Sequence, residues 1–96
     1  MMIGGKRACG KTTELIKKAS EEHLYIVCAD RNRLDVITQM AQHMELDIPF
    51  PITVDELPLR SPYIKEVLVD DIEDVLYRLI RKPILTASTS MEFKQL

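Results

Sequence analysis

The chain has 96 residues, 46% of them hydrophobic and 29% charged, and its 13 basic and 15 acidic side chains leave a formal net charge of −2. That length predicts one domain over residues 1–96, whose single core buries roughly 60–70% of the unfolded surface, and it excludes a two-lobed enzyme. The slightly acidic balance excludes the overall basic footprint of a nucleic-acid-binding domain, so any such contact is local.

Gly4, Gly5 and Gly10 are the only three glycines, where about seven would be average for this length. All lie in "IGGKRACGKTT", so their use points to a special backbone path. Gly5, then Lys6, Arg7, Ala8 and Cys9, then Gly10, Lys11 and Thr12 complete a G-x-x-x-x-G-K-[ST] phosphate-binding loop, with Thr13 next in line. Glycine removes side chains and permits positive φ, so successive N–H groups can turn inward around a phosphate. Lys11 supplies charge to the β- and γ-phosphates and Thr12 a hydroxyl ligand for the accompanying Mg²⁺. The following helix adds its N-terminal dipole. Cys9, beside a helix start and Lys11, is expected to be a reactive thiol or simply to fill a variable loop position.

Leu15, Ile16 and Ala19 form the apolar stripe of a helix over about 11–22, with opposite charges at Glu14/Lys18, Lys17/Glu21 and Lys18/Glu22 on its wet side. "LYIVCA", residues 24–29, is the longest apolar run; it reads as a parallel strand covered on both faces and is far shorter than the roughly 20 residues of a membrane span. Leu34, Ile37, Met40, Ala41 and Met44 mark a second helix, capped by Asp30 or Asn32. Pro49 and Pro51 break the chain before a short strand at 52–54 and a capped turn or short helix from Asp55. Pro58 and Pro62 mark a surface loop. In "EVLVDDIEDVLYRLIRK" the period changes: Val67, Leu68 and Val69 read as a buried strand, and Ile72, Val75, Leu76, Leu79 and Ile80 as one face of a third helix. "PILTASTS" reads as a last strand with a hydroxyl-rich tip. Cys9 and Cys28 lack C-x-x-C spacing and the glycine loop begins at residue 4, so the expectation is a soluble, reduced, cytoplasmic protein without a signal peptide.

Strands alternating with helices imply a parallel sheet with helices on both faces and ligands at the carboxyl ends of its strands. Asp70 closes one such strand and is assigned to Mg²⁺, with capping of the next helix as the alternative. Asp71 stands where a water-activating carboxylate is expected; it is one methylene shorter than glutamate, and a helix cap is the equal alternative. Thr86, Ser88, Thr89 and Ser90 read either as hydroxyls orienting the γ-phosphate or as ordinary strand-end hydroxyls. His23 and His43 read as helix-end residues. Arg31 and Arg33 read as solvated helix-start residues, with a contact to phosphate or nucleic acid as the alternative.

With these residues in view, the chain resembles the additional-strand class of P-loop NTPases, and in particular the first RecA-like lobe of superfamily 2 helicases and phage terminase motors. "GKRACGKTT" matches motif I, "VLVDDIED" is similar to the acidic motif II (Walker B), and "ILTASTS" looks like motif III. It also resembles small ATP-binding proteins of phages and prophages. The resemblance implies an α/β, three-layer parallel sheet of about five strands with helices on both faces. Its order would be the phosphate-loop strand at one edge, then strands 83–88, 67–70, 24–29 and 52–54. It implies ATP and Mg²⁺ as cofactors, Lys11 and Asp71 as catalytic residues, Gly5, Lys6, Arg7, Ala8, Cys9, Gly10, Lys11, Thr12 and Thr13 around the nucleotide, and Thr12 and Asp70 at the metal. No GTP-selecting N-K-x-D is present. Without the second lobe that supplies an arginine finger in these motors, the implied activity is weak ATP hydrolysis. That activity would become useful with a second copy of the chain or with a phage replication, recombination or packaging protein, nucleic acid being reached through the partner. The reading from another class is a non-catalytic nucleotide-binding adaptor derived from a motor lobe.

Overall fold

A computed structural model describes residues 4–88, with side chains from residue 10 onward. The elements run α1 (Gly4–Glu22), β1 (Tyr25–Cys28), α2 (Arg31–His43), β2 (Ile52–Thr53), a 3₁₀ turn (Val54–Glu56), β3 (Val67–Val69) and α3 (Ile72–Ile80).

β1 lies between the other two strands, in the order β2-β1-β3, and pairs with both in parallel. Val27 stands opposite Ile52 on one side and Val69 on the other. The Asp70 N–H extends the second ladder by donating to the Val27 carbonyl at 2.9 Å. Successive side chains of a strand point to opposite faces. Ile26 and Cys28 accordingly join Leu15, Ile16 and Ala19 of α1 and Leu34, Ile37 and Ala41 of α2, while Val27 and Ala29 meet Ile52 and Val75 of α3. Apolar matter covers both faces of β1, which is why its sequence shows no polar alternation. Ile16, Ile26 and Ile37 are fully buried, each worth about 1.5–3 kcal/mol by transfer from water.

The helix ends are built without glycine. At the end of α1 the Leu24 N–H reaches back to the Ala19 carbonyl (3.2 Å), and after α2 the Leu46 N–H reaches Ala41 (3.0 Å) while the Glu45 N–H reaches Gln42 (3.0 Å). This is the Schellman pattern, whose left-handed residue is usually glycine. Here His23 (φ 55°) and Glu45 (φ 58°) take that conformation, since no glycine follows Gly10. At the start of α2 it is Asp30, not Asn32, that caps, its carboxylate accepting the Arg33 N–H at 2.9 Å. On the exposed face of α1, Lys18 pairs with Glu22 at 2.7 Å as expected, and Lys17 pairs with Glu14 at 3.9 Å instead of Glu21.

Two expectations are corrected. The described residues form a three-stranded sheet, so the five-stranded, three-layer RecA-like core is not the architecture. Residues 1–3, expected in the phosphate-loop strand, lie outside the described residues. Residues 83–88 are irregular and exposed, Leu85 at 98%. Pro83 has no N–H for a ladder, and beyond Ile84 and Leu85 the segment offers mostly hydroxyls and small residues to the two faces a buried strand must fill. The three strands that form do keep the mutual order the resemblance implies. The second correction concerns the glycine-rich stretch, whose backbone forms the opening turns of α1 and not a loop ahead of a helix at Lys11. Lys6, Arg7 and Ala8 are good helix formers, and extending a helix already nucleated by the packed turns around Leu15 and Ile16 is cheap.

Among the described residues no helix is long and apolar enough to cross a membrane.

Candidate functional site

Three elements meet at the carboxyl end of the sheet through Thr12, Arg33 and Asp70. The packing of Leu15, Ile16 and Ala19 turns Thr12 of α1 inward, to 1% exposure. Asp70 follows β3 and is held by its backbone bond to Val27, at 3% exposure. Arg33 lies in the first turn of α2, which Asp30 starts directly beyond β1. Because β1 and β3 are neighbours, that first turn overhangs Asp70.

The Thr12 hydroxyl donates to Asp70 Oδ1 at 3.1 Å. Arg33 Nε donates to Asp70 Oδ2 at 2.6 Å, and its Nη2 donates to Thr12 Oγ1 at 2.6 Å and more distantly to Asp70 Oδ1 at 3.5 Å. The hydroxyl thus both donates and accepts, the carboxylate is bound at both oxygens, and among the described residues no buried side-chain polar atom lacks a partner. The bond to Asp70 is the largest influence on Arg33 and raises its pKa above the ordinary value, against the opposing effect of burial. The guanidinium is therefore a permanent cation here.

A second carboxylate braces this rim. Asp30 uses one oxygen for the Arg33 N–H and the other for Arg78 Nη2 of α3, at 2.6 Å. Cys28, beneath them, is buried, its Sγ–H directed at the Asp30 carbonyl at 3.7 Å. Burial first, then the charges of Asp70 and Asp30, push its thiol up to about 11, which makes it a poor nucleophile or metal ligand at neutral pH.

The other expected site residues distribute unevenly. Lys11 is exposed and is not part of the cluster; Thr13 is half-buried. Gly5, Lys6, Arg7, Ala8 and Cys9 belong to the helical backbone of α1, and their side chains lie outside those described. Asp71 is exposed, in the left-handed region (φ 57°), and its carboxylate accepts the Asp74 N–H at 3.4 Å, so it caps α3. Thr86 and Ser88 are exposed in the irregular segment and do not join the cluster, while Thr89 and Ser90 lie outside the described residues. His23 and His43 sit at helix ends and Arg31 is exposed, as expected. Arg33 corrects its reading as a solvated residue. The signal for it was its place three residues after Asp30, the cap that follows the central strand, which puts it over whatever acid closes the adjacent strand.

The donor set suits a hard cation. Among the described residues no group of three or more His, Cys, Asp and Glu is arranged to hold a metal. A hydroxyl and a carboxylate side by side suit an ion that keeps most of its water and arrives on phosphates, as Mg²⁺ does. No family model matches the chain, and neither the curated proteins nor the solved structures contain a match to it.

Proposed function

We propose that the chain is a nucleotide-binding module that takes ATP with Mg²⁺ and hydrolyses it weakly, acting with a partner in nucleic-acid processing. The observation that carries this reading is the 3.1 Å bond between Thr12 and Asp70. The hydroxyl that ends the G-x-x-x-x-G-K-T pattern and the acid that ends an apolar strand are the two protein groups a P-loop uses for its metal, and they touch although 58 positions separate them. In this reading the N–H groups of residues 5–12 take the phosphates, Lys11 swings in from solvent to the β- and γ-phosphates, and Thr12 and Asp70 hold the ion. Bound Mg²⁺ neutralises charge on the phosphate oxygens.

The glycines support the same reading. Nothing lies within 4 Å of where a Cβ on Gly10 would sit, and no glycine among the described residues has a positive φ. The helical form therefore has no use for glycine at position 10, where it costs about 0.8–1 kcal/mol relative to alanine. A phosphate-bound form, in which residues 5–10 leave the helix to wrap an anion, does need it. A non-catalytic adaptor is the second reading, favoured by Asp71, whose carboxylate is occupied as a helix cap.

Calorimetry with ATP–Mg²⁺ on the wild type, Lys11→Ala and Gly10→Ala, beside circular dichroism melting, tests the proposal. Lys11→Ala should lose most of the affinity with its fold intact. Gly10→Ala should melt higher, by the helix-propensity gain, and yet bind far more weakly. Wild-type affinity in both variants would overturn the reading.

A further inference from the structure

The guanidinium of Arg33 spans the two groups that a cation at this site would use. Nε holds one oxygen of Asp70 and Nη2 holds the Thr12 hydroxyl. A divalent ion between Thr12 and Asp70 needs lone pairs on the same atoms, and it cannot share them with a second positive charge a few ångströms away.

The burial of the two partners is unequal. The side chain of Asp70 is 4% exposed and that of Arg33 is 28% exposed. The acid is therefore fixed in the interior, while the arginine covers it from the solvent side and can swing outward into water without leaving a buried cation unpaired. The bonds to Asp30 come from the Arg33 backbone N–H and from Arg78, so the guanidinium itself is held through Asp70 and Thr12.

We propose that Arg33 is an internal cation that closes the position between Thr12 and Asp70 and that an incoming divalent ion displaces. The displaced guanidinium stays tethered to the first turn of α2 at the same rim, within the chain's own reach of an anionic ligand. The device rests on the ATP–Mg²⁺ reading for its purpose, but the exchange itself concerns only the cation and is tested with metal alone.

Electron paramagnetic resonance of free Mn²⁺, titrated into the protein without nucleotide, reads the exchange directly. The wild type should bind Mn²⁺ weakly. Arg33→Gln should bind it about tenfold or more tightly, the size expected when a competing charge-assisted hydrogen bond is removed. Adding Asp70→Asn to Arg33→Gln should abolish that gain. Equal or weaker Mn²⁺ binding by a natively folded Arg33→Gln overturns the proposal. If Arg33→Gln fails to fold, Arg33→Met decides: it keeps an apolar stem of similar reach without the charge, so Mn²⁺ affinity should still rise, and no rise overturns the proposal.

Calorimetry of the wild type with ATP–Mg²⁺ separates the two ideas. A gain in Mn²⁺ binding on Arg33→Gln with no ATP binding by the wild type sinks the nucleotide reading and leaves the exchange standing. ATP binding with Mn²⁺ affinity indifferent to Arg33 does the reverse.

Discussion

Arg33 and Asp70, 37 positions apart, form an ion pair at 2.6 Å over a fully buried threonine. Removing one partner of such a pair leaves the other charge uncompensated, and the acid is the more deeply buried of the two. Arg33→Ala, which strands the buried carboxylate, should therefore destabilise the chain by about 3 kcal/mol, the low end of the range for buried pairs because the arginine end of the pair is partly exposed. Urea denaturation of the two proteins measures it, and a loss below about 1 kcal/mol would mean that the pair is no more than a surface contact.

Asp71 caps α3 with φ at 57°. Asparagine caps about as well as aspartate and tolerates the left-handed region. Asp71→Asn should thus keep its melting temperature, and Asp71→Ala should lose about 1–2 kcal/mol. Steady-state phosphate release at saturating ATP–Mg²⁺ then separates two roles. If turnover falls in Asp71→Asn and rises in Asp71→Glu, the carboxylate activates water in addition to capping. Equal rates in the three proteins assign it to the cap alone and favour the adaptor.

Glu45 holds a position that glycine usually fills. The left-handed conformation costs an ordinary residue about 1–2 kcal/mol, and the extra freedom of glycine in the unfolded chain returns about 0.4–1 kcal/mol of that. Glu45→Gly should raise stability by roughly 0.5–1 kcal/mol, whereas Glu45→Ala should not raise it. A melting temperature for Glu45→Gly at or below the wild-type value would show that the side chain of Glu45 contributes something else at this corner.

Cys28 gives stability a pH dependence in the alkaline range. Its thiol is pushed from 9.0 up to about 11 in the folded chain, chiefly by burial. Between these values the folded chain keeps a proton that the unfolded chain has lost, so unfolding becomes easier as pH rises. The contribution is complete below about pH 9 and disappears as pH climbs through 11, about 3 kcal/mol in all. Denaturation midpoints from pH 8 to 11 for the wild type and Cys28→Ala should diverge in slope. Parallel curves would show that the thiolate forms as readily in the folded chain as in the unfolded one. In a Cys9→Ser background, Cys28 should also react slowly with a thiol reagent at neutral pH.

Features carried by neighbouring residues were legible from the order of amino acids alone. The run "LYIVCA" announces a strand covered on both faces, the spacing of Leu34, Ile37 and Ala41 a helix with one buried side, and Asp30 a cap. Thr12 and Asp70 each end a short local pattern, which is why the order of residues alone singles out both. Three features belong to the tertiary structure. Arg33 reads as solvated in its own helix and becomes a buried acid's counterion only because β1 and β3 lie side by side. Residues 83–88 open with an apolar pair, Ile84 and Leu85, that reads as the start of a strand, yet a strand exists through its pairing, and that segment finds no place in the sheet. The glycine pattern suits a phosphate loop, while the packed turns of α1 carry the same residues into a helix. In each case local sequence determines which groups are apolar, charged or flexible. What neutralises a buried charge, and which backbone pairs with which, depends on residues tens of positions away, and only folding brings those together.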